Sequence, residues 1–457
     1  MNLRTFLSAG ACLFIIGLGN SRAADTNDIK FTPVGEGAVN IGQIGSGYYK
    51  YPGTTIWPIS HVWQQWAYSD LGYDVLIKKN LEINIKGEGL VAYSTPQIVD
   101  EPQTMQTRYF FYIKTANAAY SLLNSEQYGL QLQLGYFPFK YNPDARNLGE
   151  NLFRTNAYPL LVYSNFDYPK ADILGLRVHF QYESPEKVFG IQNDAMLHSE
   201  LYSVPIQDWS VSDVFSAKFL DAITVGGGIS FCNLLSVYQG KYGLQWVDQY
   251  LNPDTSSNNP NLANVKNYYL LGNAAGDTAL FDWKSTKVMG RLSFDPKKFL
   301  HSDLFGKNDL MLYGEADIIG LKNYPIYFTD MKDRTFYSVG FNIPGFKIFD
   351  VINAELEYCS DTSAYSDEKL YPAAPNLQPV NLNERSSLLY KVKRDPVRWS
   401  VYVKKSILDG RVNFVAQCAR DHKKINFYYF DIQHMSLMES MPTTQNWWWV
   451  FKTQFNF

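Results

Sequence analysis

The chain is poor in cysteine, with four in 457 residues: Cys12, Cys232, Cys359 and Cys418. Their wide spacing argues against a disulfide framework and gives no metal-ligand pattern, so each reads as a small strand residue. Histidine is also scarce, at His61, His179, His198, His301, His422 and His434. None stands in a His-Glu-x-x-His or G-x-S-x-G context, so no catalytic residue, metal or cofactor is expected. Gly226-Gly227-Gly228 has no helix pattern after it; it is no phosphate loop, and a bend in a sheet is expected there. There is no basic tract, and 41 Lys+Arg stand against 44 Asp+Glu. That balance excludes nucleic acid as a partner. Long hydrophobic runs are missing too. Beyond residue 23 nothing approaches the roughly 18 apolar residues that a membrane helix needs.

What is present begins with an export pattern. The first residues read MNLRTFLSAGACLFIIGLGNSRA, with Arg4 before an apolar stretch from Phe6 to Leu18. Ser21 and Ala23 then supply the small residues of a cleavage site. This predicts a secretory signal peptide over 1–23, cleaved after Ala23. Ala9 stands where a lipoprotein signal would carry a Leu-like residue before Cys12, so lipidation is not expected. Cleavage takes away Arg4 and Arg22 and no acid, leaving 39 Lys+Arg against 44 Asp+Glu, a net charge of −5. An exported chain with no further apolar span is periplasmic, secreted or an outer-membrane barrel.

Aromatic residues make up 16% of the chain, mostly Tyr and Phe. Such a content in a chain of slightly polar hydropathy fits a barrel, where half of each strand faces water and aromatic girdles mark both interfaces. The segment LEINIKGEGLVAY, 81–93, alternates cleanly: Leu81, Ile83, Ile85, Val91 and Tyr93 against Glu82, Asn84, Lys86 and Glu88. LGLRVHFQYE repeats this with Leu174, Leu176, Val178, Phe180 and Tyr182 against Arg177, His179, Gln181 and Glu183. A period of two is that of a strand with one oily and one wet face. The last residues, NWWWVFKTQFNF, do the same: Trp449, Phe451, Thr453, Phe455 and Phe457 share one row.

Fourteen strands are predicted in this way. They are 39–47, the segment carrying Leu71 to Ile77, 81–93, 106–120, 128–137, 174–183, 222–232, 287–294, 309–319, 334–343, 351–359, 398–407, 411–419 and 446–457. Residues 184–221 read either as a long turn or as a further pair, which would give sixteen. Read backward from Phe457, long polar connections (420–445, 360–397, 233–286) alternate with tight turns such as Asp409-Gly410 and Pro344-Gly345. Long loops at one end and short turns at the other are the pattern of a transmembrane β-barrel. The expected fold is all-β, a closed antiparallel barrel of about 14 strands. Residues 24–457 form one domain, with 24–35 a short lead-in.

With this ending and these connections, the chain resembles Gram-negative outer-membrane β-barrel proteins of the porin type. The resemblance is architectural and spans most of 36–457. It implies an outer-membrane location, contact with membrane lipid and handling by the barrel-insertion machinery. In that group a terminal strand with alternating aromatics is the assembly signal, carried here by Phe455 and Phe457, with Thr453 a slight departure. It leaves the oligomeric state open between monomer and trimer.

By strand parity, acids expected to line the interior are Glu82, Glu88, Glu183, Glu315, Asp317, Glu355 and Glu357. The bases are Lys86, Lys114, Arg177, Arg291, Arg398 and Lys404. Mixed signs of similar number predict a hydrated pore without strong charge selectivity; fourteen strands enclose more space than side chains alone fill. The loop YNPDARNLGENLFRTNAYP, 141–159, is the candidate constriction, through Asp144, Arg146, Glu150 and Arg154; an ordinary solvated loop is the other reading. The function expected is passive diffusion of small hydrophilic solutes. A filled barrel with a structural or adhesive role in its surface loops is the alternative, and an outer-membrane hydrolase the third.

Overall fold

The computed structural model describes residues 29–50, 56–94, 106–154, 171–199, 208–235, 268–272, 278–282, 285–300, 303–321, 331–359, 395–423 and 440–457. The export pattern of 1–23 lies outside them. Among the described residues there are eighteen strands. The first nine are β1 (Ile29–Lys50), β2 (Ile56–Ile77), β3 (Leu81–Ser94), β4 (Gln106–Asn124), β5 (Tyr128–Phe139), β6 (Ala171–Glu183), β7 (Phe189–Ser199), β8 (Trp209–Phe219) and β9 (Ile223–Leu235). After them come β10 (Tyr268–Gly272) and β11 (Thr278–Asp282), which pair only with each other. The rest are β12 (Ser285–Phe294), β13 (Leu312–Ile318), β14 (Thr335–Ile343), β15 (Val351–Cys359), β16 (Val397–Ile407), β17 (Val412–Arg420) and β18 (Trp447–Asn456).

Sixteen of these close into one antiparallel barrel, β1 to β9 followed by β12 to β18, with β18 hydrogen-bonded back to β1. Of the two readings of 184–221, the structure takes the further pair: β7 and β8 lie there and bring the fourteen to sixteen. Their outward rows hold Asn193 and Asp213 among apolar residues, which breaks the alternation that marks the other strands. At the glycine run, Gly226, Gly227 and Gly228 pair without a register shift with both β8 and β12, so no bulge interrupts the ladder there.

Alternation decides which face of each strand turns inward. On β3 the row of Ile83 and Ile85 faces out, whereas Glu88 and Leu90 are buried inside. On β5 to β8 the outward rows end at one rim in a continuous aromatic ladder. Tyr128 meets Tyr182 at 4.9 Å, Tyr182 meets Phe189 at 6.4 Å, and Phe189 meets Phe219 at 5.3 Å. At the other rim Trp63 and Trp449 pack edge to face at 5.8 Å. Two aromatic bands separated by apolar rows are the girdles of a membrane barrel.

The rim with the Tyr–Phe ladder carries the short turns, among them 78–80, 125–127, 184–188 and 220–222. There Asp409 (φ 56°) and Gly410 (φ 82°) make the tight reversal between β16 and β17, in the left-handed region that such a turn demands. Both described chain ends lie at this rim. The closing seam runs from Glu36↔Asn456 to Ser46↔Trp447, with one bulge between Ile44 and Ser46. Glycine serves it at both ends. A Cβ on Gly35 would stand 2.3 Å from the Phe457 ring, and one on Gly45 2.5 Å from the Trp447 ring. Each aromatic ring therefore occupies the space that a side chain at the glycine would take.

Candidate functional site

The chain leaving β5 folds into the barrel. Residues 140–154 run inward from Phe139 and end in a one-turn helix, α1 (Asn151–Arg154). Two left-handed residues turn the path before the helix, Gly149 (φ 78°) and Glu150 (φ 61°). A side chain at Gly149 would also press on Ser338 Oγ at 3.0 Å. Leu152 and Phe153 then enter an apolar cluster of Phe137, Phe139, Ile173, Met196 and Met289, all on inward rows. The glycine run makes this docking possible. A Cβ on Gly228 would come within 2.9 Å of Leu152, and one on Gly226 within 2.7 Å of Arg291 Nε. The glycines clear space for close approach, a recognised use of glycine within a strand.

The segment is held by four acids of β13 and β15. Glu355 accepts the backbone N–H groups of Arg146 (2.5 Å), Asn147 (2.8 Å) and Leu148 (2.9 Å), and the Tyr313 hydroxyl at 2.6 Å. Glu357 accepts Gly149 N–H and Asn151 Nδ2, both at 3.2 Å, and contacts His422 Nε2. Glu315 accepts the Tyr141 hydroxyl at 2.6 Å, Asn142 Nδ2 at 3.0 Å and Asn151 N–H at 3.3 Å. Asp317 accepts Asn151 Nδ2 at 3.3 Å. From the next wall Asp421 accepts Asn147 Nδ2 at 2.8 Å and the Trp448 indole N–H at 2.9 Å. Successive backbone N–H groups converging on a carboxylate form an anion nest, and such charge-assisted bonds are the strong kind. Here the nest is filled from the barrel wall.

The four proposed constriction residues therefore differ in placement. Asp144 accepts Ser293 Oγ at 2.7 Å. Arg146 uses its backbone on Glu355, and its side chain is half-buried. Glu150 is fully buried, accepting Asn142 N–H at 2.5 Å with Lys140 Nζ 3.7 Å away. Burial pushes the Glu150 carboxyl up to about 7 and the Lys140 ammonium down to about 8, each partly offset by the other. The Arg154 side chain and residues 155–159 lie outside the described residues. Sequence reasoning gave Asn142, Asn147 and Asn151 no role beyond hydrogen bonding in the loop; their amides supply four bonds to the wall acids beside five from backbone N–H groups. Their spacing of five and four within a Pro- and Gly-bearing loop was the available signal.

Elsewhere inside, charged groups of the inward rows remain in contact with solvent. Lys86 (33% exposed) lies 3.8 Å from Asp74 (31%). Arg177 (20%) binds Asp194 at 2.7 Å and Gln133 at 3.1 Å, with His179 on the same Asp194 oxygen at 2.7 Å. Glu183 does not join His179; it is exposed at the turn end of β6. Lys114 binds the buried Glu88 at 2.5 Å, and Tyr112 donates to the same carboxylate. Asn84 donates to Glu82 at 3.4 Å. Lys404 is half-buried, whereas Arg291 and Arg398 are buried behind the docked segment. His198 Nε2 stands 2.9 Å from Ser212 Oγ, buried beside Phe153. A second apolar cluster, including Trp66, Tyr68, Val62 and Trp448, covers the inner face of β1, β2 and β18.

No family model matches the chain, and no curated protein does either. Among solved structures, a triple-mutant porin of Rhodopseudomonas blastica is similar in outline. It is 5% identical with a TM-score of 0.35, over 93% of this chain and 100% of that one. The outer membrane channel DcaP of Acinetobacter baumannii is 8% identical with a TM-score of 0.37, over 95% and 99%. At this level the likeness concerns the barrel fold alone. By its own architecture the chain is a porin-like barrel: closed, antiparallel, apolar outside, polar inside, with a segment folded into the interior.

Proposed function

We propose that the barrel lies in the outer membrane and is a channel for passive diffusion of small hydrophilic solutes. The observation that carries this reading is the solvent contact of charged inward side chains, Lys86, Asp74, Arg177 and Lys114 among them. Buried charges without water need close compensation; Lys114 and Arg177 have such partners in Glu88 and Asp194 and still reach the solvent-accessible interior. Purified protein in a planar bilayer should give stepwise ohmic conductance in simple salt. Folded protein with no conductance would defeat the proposal.

A second reading has its own support. The inward apolar clusters and the buried acids under the docked segment fit a barrel filled at its loop end, with binding carried by the surface loops. Silence in the bilayer would favour it.

The membrane location is tested by the two faces of β3. Ile83 lies on the outward row opposite Val75 and Ala118, while Asn84 lies inward opposite Asp74 and Asn117. Ile83→Arg should destabilise the folded barrel by roughly 2–4 kcal/mol if it meets mid-bilayer hydrocarbon. Asn84→Arg should be tolerated beside Glu82 and Asp74. Equal costs in a lipid-vesicle unfolding titration would contradict the assignment of faces.

A further inference from the structure

The outward rows are mostly apolar; their polar members are neutral side chains such as Gln43, Gln65 and Ser69 on β1 and β2, Lys405 near the turn end of β16, and an amide–carboxylate pair on β7 and β8. On β7 the outward row is Phe189, Ile191, Asn193, Ala195, Leu197 and, at the strand end, Ser199; on β8 it is Trp209, Val211, Asp213, Phe215, Ala217 and Phe219. Asn193 Nδ2 donates to Asp213 Oδ1 at 3.0 Å. Among the described residues Asp213 is the only carboxylate in the middle of an outward row; Asp172, the other outward one, is the second residue of β6. Asp213 stands four residues from Trp209 at one end of its strand and six from Phe219 at the other. It therefore falls between the two aromatic bands.

Beside this pair the surface is recessed. Phe215 lies opposite Gly227, Gly227 opposite Gly290, and Gly290 opposite Ala316, all on outward rows. A Cβ on Gly290 would meet nothing within 4 Å. The recess is flanked by the exposed Phe215, Leu292 and Tyr337.

Hydrocarbon can satisfy none of the acceptor sites that remain on Asp213, and ionisable groups in that position are costly and functional. Protein can satisfy them. Asn193 has a second amide N–H, and a donor beside an acceptor on adjacent strands is its own complement across a two-fold axis. Small residues at the contact let two backbones approach, as they do where membrane segments associate; lipid tails need no such recess. We propose that the β7–β8–β9 wall is a contact face between two copies of this chain in the membrane. The two-fold axis runs along the membrane normal between β7 and β8. Asn193 of each copy donates to Asp213 of the other, with Ala195 and the Gly227–Gly290 recess closing the contact. This rests on the bilayer surrounding the outward face, and conductance tests that premise separately.

The experiment uses the full chain in outer membranes. Ala195→Cys treated with a short bismaleimide should give a covalent species of twice the mass. Val401→Cys, outward on the distant β16, should give at least tenfold less, as should the unsubstituted chain. Extracted into mild detergent, the intact chain should scatter light as a dimer, Asp213→Leu as a folded monomer with normal heat-modified migration, and Asp213→Asn as a dimer. The proposal is overturned by equal cross-linking at both positions, by a cross-linked band of another protein's mass, or by an intact monomer that carries phospholipid. It is also overturned if folded Asp213→Leu remains dimeric.

Discussion

Removing residues 144–150 and joining the ends through a short glycine linker should raise the unit conductance in a planar bilayer severalfold. The deleted stretch carries Arg146, Asn147, Leu148 and Gly149, whose backbone N–H groups are held by Glu355 and Glu357. Its loss vacates interior volume and strips Glu355 and Glu357 of these four backbone donors. In the intact chain their charge is taken up by converging donors. Once freed, they face water inside the barrel. The variant should therefore conduct more and also prefer cations, read as a shift in reversal potential across a salt gradient. The two readouts separate the roles of the segment. Greater conductance with unchanged preference would mean that other groups neutralise the acids. Unchanged conductance would mean that the segment does not limit flow.

The barrel was legible in the sequence wherever a strand kept one face oily. Segments 81–93 and 174–183 announce both strand and facing, because Leu, Ile and Val alternate with charged or amide residues. The two strands left open against a long turn, β7 and β8, carry Asn193 and Asp213 where the pattern demands apolar residues. Their inward rows, with Met196 and Val214 in an apolar cluster, blur the contrast from the other side. The ambiguity is informative. A local rule broken at two neighbouring positions marks the place where the outer surface departs from plain lipid contact.

The site was legible only in part, for a different reason. Alternation along one strand states which way Glu355 and Glu357 point. It says nothing of what they meet, because the partners lie more than 200 residues earlier in the chain. A carboxylate facing water and one clasping a docked backbone look alike in sequence. The amides at Asn142, Asn147 and Asn151 could equally belong to an exposed turn, since the same side chains stabilise both. The glycines at Gly226 and Gly228 illustrate the same limit. Close approach of Leu152 and Arg291 explains them, yet neither neighbour is near in sequence.

Changing Phe457 to Asp should reduce assembled barrel severely, leaving unassembled chain in the periplasm. Phe457 exchanges two backbone hydrogen bonds with Gly35, each 3.0 Å, and so ties the end of β18 to the first described strand. Its ring lies over Gly35, where the absent side chain leaves room. Asp keeps the backbone bonds within reach but removes the ring and places a charge in an outward row of aromatic and apolar residues, Phe455 and Phe451 included. Charge there disfavours the lipid-facing rim, and the exposed seam loses its cover. Phe457→Tyr should assemble normally, since the ring is retained and a hydroxyl at an interface is tolerated. Gly35→Val should show a smaller loss, because the ring it displaces is the far end of a rotatable side chain. The measurement is the fraction of surface-exposed, heat-modifiable protein in outer-membrane fractions. Normal levels of Phe457→Asp would show that the seam closes without this contact. A loss equal to that of Phe457→Asp in the Tyr variant would show that the effect is not carried by the ring over Gly35.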